Sequence, residues 1–147
     1  MIKFKSLTES HEWAWVKKRA RPIMCEDSQG LIAYDEEGVI QAIAVFDSFT
    51  VDACSVHFAI DNPFVIRHGF LHEIARHLFI DCGRERIFGL VPSNNEKALK
   101  LDKHIGMVPV ARIPDAMSSG VDYVVLRMNK EECRWLPKIE FKEAANG

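Results

Sequence analysis

Polar and apolar positions recur along this chain with two periods, and the changes of period mark its elements. Residues 2–7 predict a short strand. Thr8 or Ser10 then caps a helix on which Trp13, Val16 and Ala20 follow at helical spacing, and Pro22 stops it. Leu31-Ile32-Ala33-Tyr34 reads as a strand, and Asp35-Glu36-Glu37-Gly38 as a hairpin turn. The return strand runs from residue 39 to about residue 49 and is apolar on both faces in its middle. Asp52 starts another turn. Residues 54–60 form a further strand, with Val56, Phe58 and Ile60 on one face and Ser55, His57 and Ala59 on the other.

Pro63 breaks that pattern. A helix is predicted from about residue 69 to Cys82, because Leu71, Ile74, Ala75, Leu78 and Phe79 form one amphipathic stripe. Gly83 is its stop. Residues 87–91 make a short apolar strand ended by Pro92. Asn94 or Asn95 caps the next helix, whose buried stripe is Ala98, Leu101 and Ile105, and Gly106 closes it. Strands over 107–113 and 122–128 follow, joined by a loop with Pro114, Ser118, Ser119 and Gly120. The order is β-α-β-β-β-α-β-α-β-β. Hairpins and helical crossovers in one chain imply an α/β fold with a mixed sheet. One domain is expected over 1–129, with 130–147 as a C-terminal extension. Its Trp135, Leu136, Ile139 and Phe141 either pack on the core or dock a protein partner or a second copy.

Composition narrows the class. A chain of 147 residues is one ordinary domain, and 48% hydrophobic with 27% charged residues is globular rather than disordered. Lys and Arg number 19 against 21 Asp and Glu, a balance that argues against general nucleic-acid binding. No apolar run approaches the ~18 residues that span a bilayer. The N-terminus lacks an apolar signal-peptide core. Cys25, Cys54, Cys82 and Cys133 form no CxxC pair and fit no zinc spacing. They read as reduced thiols of a cytoplasmic protein. His72-Glu73-Ile74-Ala75-Arg76-His77 is a near miss to the zinc-protease H-E-x-x-H. Its second histidine falls roughly 140° away around the helix, so a zincin is rejected. His68 and His72 share a helix face but lack further ligands, and no metal is expected.

The stretch Asn95-Glu96-Lys97-Ala98-Leu99-Lys100-Leu101-Asp102-Lys103-His104-Ile105-Gly106-Met107 resembles the N-x-x-A-x-x-L-Y-x-x-x-G-F segment of the GNAT family of N-acetyltransferases. Asp102 and Met107 depart from it. The preceding strand and the closing pair with Asp122-Tyr123-Val124-Val125-Leu126-Arg127-Met128 fit as well. A weaker similarity, through the closing D-x-V-x-x-x-M-x-x-x-x-C-x-W, is to short GNAT-like proteins of tailed bacteriophages. A phage origin would put the protein in the host cytoplasm or the virion.

The resemblance implies acetyl-CoA as co-substrate and an amine as acceptor, bound beside the strand that carries Phe58 and Ile60. Four tasks follow: holding the pyrophosphate, placing the thioester, deprotonating the amine and stabilising the leaving thiolate. The family holds pyrophosphate with Q/R-x-x-G-x-G/A opening a helix, where backbone N–H groups face the anion. The aligned residues here are Ile66-Arg67-His68-Gly69-Phe70-Leu71, of which only Gly69 matches. Arg67 and His68 add positive charge, and the alternative is an ordinary helix start. Asn95 would contact the pantetheine arm or bound water, and it caps a helix in either case.

Asp102 stands where the family commonly has a tyrosine that protonates the thiolate. An ordinary carboxylic acid titrates near ~3.9 and is already ionised at neutral pH. Asp102 therefore needs burial to act as an acid. The preferred expectation is a solvated helix face, paired with Lys103 or another neighbour. His57 is the candidate base, since imidazole titrates nearest neutrality; the alternative is a hydrogen-bonded strand histidine. Ser93 and Glu73 are weaker candidates. The loops over 22–30 and 114–120 would choose the acceptor, and they carry no decisive pattern. Because Ile66, Leu71 and Asp102 are off the family pattern together, a second reading is an inactive binding or structural module, such as a phage accessory or virion protein. It predicts a cleft plugged by side chains such as Phe64 and Phe70.

Overall fold

The computed structural model describes residues 1–19 and 28–137. The expectations that fall on Ala20, Pro22, Cys25, Ile139 and Phe141 lie outside the described residues. Seven strands form one mixed sheet: β1 (Lys3–Ser6), β2 (Gln29–Tyr34), β3 (Ile40–Asp47), β4 (Ala53–Ile60), β5 (Arg86–Pro92), β6 (Val108–Ser118) and β7 (Val121–Asn129). Their spatial order is β1-β2-β3-β4-β5-β7-β6. All neighbours are antiparallel except β4 and β5. That one parallel step requires a long crossover, and the helices between β4 and β5 supply it.

Strand β3 is buried on both sides, as its continuous apolar run predicts. Ala42, Ala44 and Phe46 join the larger core. Ile43 and Val45 point the other way, into a second cluster with Val16 and Trp13 of helix α1 (Ser10–Arg19). Helix α1 covers one face of the sheet. The other face carries α2 (Phe64–Arg67), α3 (Phe70–Ala75) and α4 (Glu96–His104). The start of α1 is fixed by Glu12, which is buried. Its carboxylate accepts from the backbone N–H groups of Thr8 and Glu9 at 3.1 and 3.0 Å and pairs with Lys5. Orphan donors of the helix terminus thus find an anion.

The helix expected from about residue 69 to Cys82 is not one straight rod. A separate short helix, α2, precedes it, and the two are divided at Gly69, whose φ of 95° is left-handed. A residue with a Cβ is strained there, which explains the glycine without any ligand. The stripe then continues through α3 into a π-helical turn, Arg76–Asp81. The strand expected to end near residue 113 runs on past Pro114 to Ser118, through register shifts, so the loop shrinks to a tight turn. Strand β6 lies at the edge of the sheet and is exposed along its length, where Pro109 and Pro114 can be accommodated.

After β7 the chain folds back over the helices. Cys133 and Leu136 are buried in the core. The Trp135 indole N–H donates to the Ile105 carbonyl at 2.7 Å, and Arg134 donates to the His104 carbonyl. His72 Nδ1 donates to the Trp135 carbonyl at 2.6 Å. Residues 133–136 therefore tie α3 to the C-terminal end of α4. Cys54, Cys82 and Cys133 are free thiols, and burial pushes Cys54 up to about 12. No helix among the described residues is long and apolar enough to cross a membrane.

Candidate functional site

The parallel pair at the centre of the sheet is incomplete. Strands β4 and β5 are joined only at Ala53 with Arg86, Cys54 with Ile87 and Ser55 with Phe88. Beyond these residues each strand continues, but they pair with β3 and β7 rather than with each other. A cavity of about 160 Å³ lies along the gap. Val56, His57 and Phe58 line it from β4, and Leu90, Val91 and Pro92 from β5. Asn95, Ala98, Leu101 and Asp102 of the α4 region and Arg19 at the end of α1 complete it. Helices α1 and α4 pack on opposite faces, so the cavity is bounded from both sides of the sheet.

A second groove, of about 440 Å³, shares Leu101 with the first. Ile60, Pro63 and Ile66 give it an apolar floor. Arg67, Lys97, Lys100 and His104 surround it, and no acidic side chain lines it. An apolar floor ringed by cations suits a ligand that carries both hydrocarbon and phosphate.

Asp102 is 6% exposed, which corrects the expectation of a solvated helix face. Ala98, Leu101, Asp102 and Ile105 stand at i, i+3, i+4 and i+7, so the carboxyl belongs to the buried stripe. Its Oδ2 lies 3.9 Å from the point where a Cβ on Gly89 would sit, at the inner end of the cleft. Among the described residues its side chain has no hydrogen-bond or ion-pair partner. Burial alone raises its titration from 3.8 to about 7. A carboxylic acid that keeps its proton up to near neutrality can donate it.

His57 faces the cleft from β4. Its Nε2 lies 3.1 and 3.3 Å from the two carboxylate oxygens of Asp47 and 3.3 Å from Ser55 Oγ. Asp47, at the end of β3, is 3% exposed. The sequence reading missed it, because only the cross-strand register brings β3 and β4 side chains together. Serine, histidine and aspartate here do not form a hydrolytic triad. Both oxygens approach the same ring nitrogen, whereas a triad needs one on each.

The remaining candidates separate. Phe58 lines the cleft, and Ile60 and Arg67 line the groove. Asn95 caps α4, its Oδ1 accepting from Ala98 N–H at 3.1 Å, and also lines the cleft. His68 ends α2 on the surface and lines neither cavity. Gly69 faces Phe4 of β1. Phe70 is fully buried and stacks on Phe4, with ring centroids 5.7 Å apart. Ser93 is occupied in backbone ties to Asp122, and Glu73 is exposed outside both cavities. Phe64 is 60% exposed, so neither phenylalanine expected as a plug fills the cleft. Glu9, His11 and Glu12 cluster at the start of α1, but both Glu12 oxygens are already engaged by Lys5 and the backbone.

No known family's sequence profile matches the chain, and neither does any curated protein. Solved structures do. The spermidine N-acetyltransferase SpeG of Vibrio cholerae, in complex with CoA and spermine, superposes with a TM-score of 0.71 at 8% identity, covering 89% of this chain and 96% of that one. A protein assigned to the GNAT acetyltransferases, from Desulfovibrio desulfuricans, gives 0.70 at 10% identity, covering 88% and 99%. The same SpeG in complex with manganese ions gives 0.71 at 9% identity, covering 88% and 93%. The seven-stranded mixed sheet with β4 and β5 parallel is the GNAT fold.

Proposed function

Given the GNAT fold of this chain, we propose that the protein is an acetyl-CoA-dependent N-acetyltransferase acting on an amine. The observation that carries this reading is the open gap between β4 and β5, with the His57 imidazole in one wall and the buried Asp102 carboxyl in the other. Acetyl-CoA supplies the acetyl group as a thioester. Arg67, Lys97 and Lys100 hold its phosphates, while Ile60 and Ile66 cover its apolar stretches. Phe58, Asn95 and Leu101 line the route from the groove into the cleft. His57 takes one proton from the attacking amine, and Asp102 returns one to the departing sulfur. The nitrogen–carbon bond forms as the carbon–sulfur bond breaks, and the proton count balances.

His57 and Arg19 lie on the α1 side of the sheet, so the acceptor enters there, opposite the groove. Spermine is among the first acceptors to assay, because SpeG was solved with it. Peptide N-termini and lysine follow. A cytoplasmic setting, where acetyl-CoA and reduced thiols coexist, is part of the same reading.

Titration with acetyl-CoA, followed by the thermal midpoint, tests the proposal. At ~100 times the dissociation constant a native-state ligand adds roughly 2.7 kcal/mol of apparent stability. Lys97 and Lys100 are exposed, so reversing both to glutamate should leave the fold intact. The double variant is expected to bind acetyl-CoA about 100-fold more weakly, since two attractive contacts with phosphate become repulsive. Unchanged affinity removes the groove from the model of binding. No thermal shift of the unaltered protein at millimolar acetyl-CoA supports the inactive module instead, with the phage accessory role as its form.

A further inference from the structure

We propose that Asp47 is a positioning residue, which holds His57 as the Nε2–H tautomer and leaves the Nδ1 lone pair as the proton acceptor. The inference rests on the reading of His57 as the base. An ionised carboxylate only accepts hydrogen bonds. Nε2 sits 3.1 and 3.3 Å from the two Asp47 oxygens, so this nitrogen carries the hydrogen. A neutral imidazole has a single N–H, and Nδ1 is then unprotonated.

The backbone holds this geometry. Asp47 pairs in register with Ser55, and Val45 with His57, so all four side chains share the α1 face of adjacent strands. Asp47 is shielded from water, while His57 keeps about a quarter of its side chain accessible in the cleft wall. When Nδ1 takes a proton, the imidazolium charge forms beside a fixed, poorly solvated anion. That anion needs no reorganisation to stabilise it. Ser55 Oγ, at 3.3 Å from the same nitrogen, adds a dipole to the pair.

Long-range proton–nitrogen spectra of the full chain, labelled at histidine nitrogens and recorded under alkaline conditions, read the tautomer directly. A His57→Gln sample identifies the resonances. The expected result is a protonated Nε2 and an unprotonated Nδ1. The opposite tautomer overturns the proposal, and this measurement needs no variant at position 47. Asp47→Asn supplies the kinetic arm. The neutral amide cannot match the imidazolium charge, so kcat is expected to fall about 100-fold, with KM for acetyl-CoA within twofold. A kcat within threefold of the parent overturns the positioning role. Failure of the unaltered protein to bind acetyl-CoA refutes the acetyltransferase reading instead, and it leaves the tautomer result unaffected.

Discussion

Asp102→Asn is expected to fold, to bind acetyl-CoA as the parent does, and to lose about 100-fold in kcat. Asparagine keeps the shape of the carboxyl but has no acidic proton to give the departing sulfur. The parent should lose activity as pH rises through about 7, where Asp102 ionises. That alkaline decline should be missing from the residual activity of the variant. A variant with parental kcat would assign the proton to water and leave Asp102 without a catalytic part.

The same residue makes a stability prediction with a definite sign. In the unfolded chain the carboxyl releases its proton near 3.8, and in the folded protein near about 7. Below the lower value both states are protonated and the group is neutral in the balance. Between the two, the unfolded chain is ionised while the folded one still holds its proton. Unfolding is then increasingly favoured, by ~1.4 kcal/mol per pH unit. The parent should lose ~4 kcal/mol from this group between pH 4 and pH 8. Asp102→Asn should lack that slope, so denaturant midpoints of the two proteins should lie close together near pH 5 and diverge as pH rises to 8, with the parent the less stable. Parallel curves would mean that Asp102 is not desolvated in solution.

Phe70→Ala is the second large effect. Phe70 is fully buried in the main core and stacked on Phe4, and it follows the left-handed Gly69. Removing it leaves a cavity that α3 and β1 cannot collapse into without moving Gly69. The expected cost is ~3–5 kcal/mol, or roughly 8–16 °C in thermal midpoint for a chain of this size. The affinity of the folded fraction for acetyl-CoA should be unchanged, because Phe70 lines neither the cleft nor the basic groove. Loss of affinity with parental stability would restore Phe70 to the cofactor site.

Much of the fold is readable from local pattern. The run from residue 39 is apolar on both faces, and β3 is sandwiched between two clusters. Asn95 stands where a cap is needed, and its side chain makes that bond. The elements that escaped are those set by tertiary partners. Nothing in the sequence announces α2, because a single turn of helix lacks a period. The extension of β6 past Pro114 is invisible to a rule that bars proline from sheets, and only its edge position permits it.

The site divides along the same line. The α4 stripe at 98, 101, 102 and 105 does include Asp102, so its burial was readable once the charge was not taken as evidence of exposure. Asp47 was not readable. It lies ten residues from His57 on a neighbouring strand, and its role depends on a register that no single strand encodes. Conversely, the glycine at 69 looks like a motif position in sequence, while its backbone angle gives it a local reason to be there.

The unfinished pairing of β4 and β5 has a consequence for exchange with solvent. From Val56 to Ile60 and from Gly89 to Pro92 the two strands are hydrogen-bonded on their outer flanks only. Their inward amides and carbonyls have no partner strand across the gap, although they lie in the middle of the sheet. Deuterium uptake should therefore be faster at these central amides than at their neighbours toward β3 and β7. A ligand carrying its own amide groups would close that seam as a surrogate strand. The centre of the sheet, normally its slowest region, would then become the most sensitive reporter of occupancy.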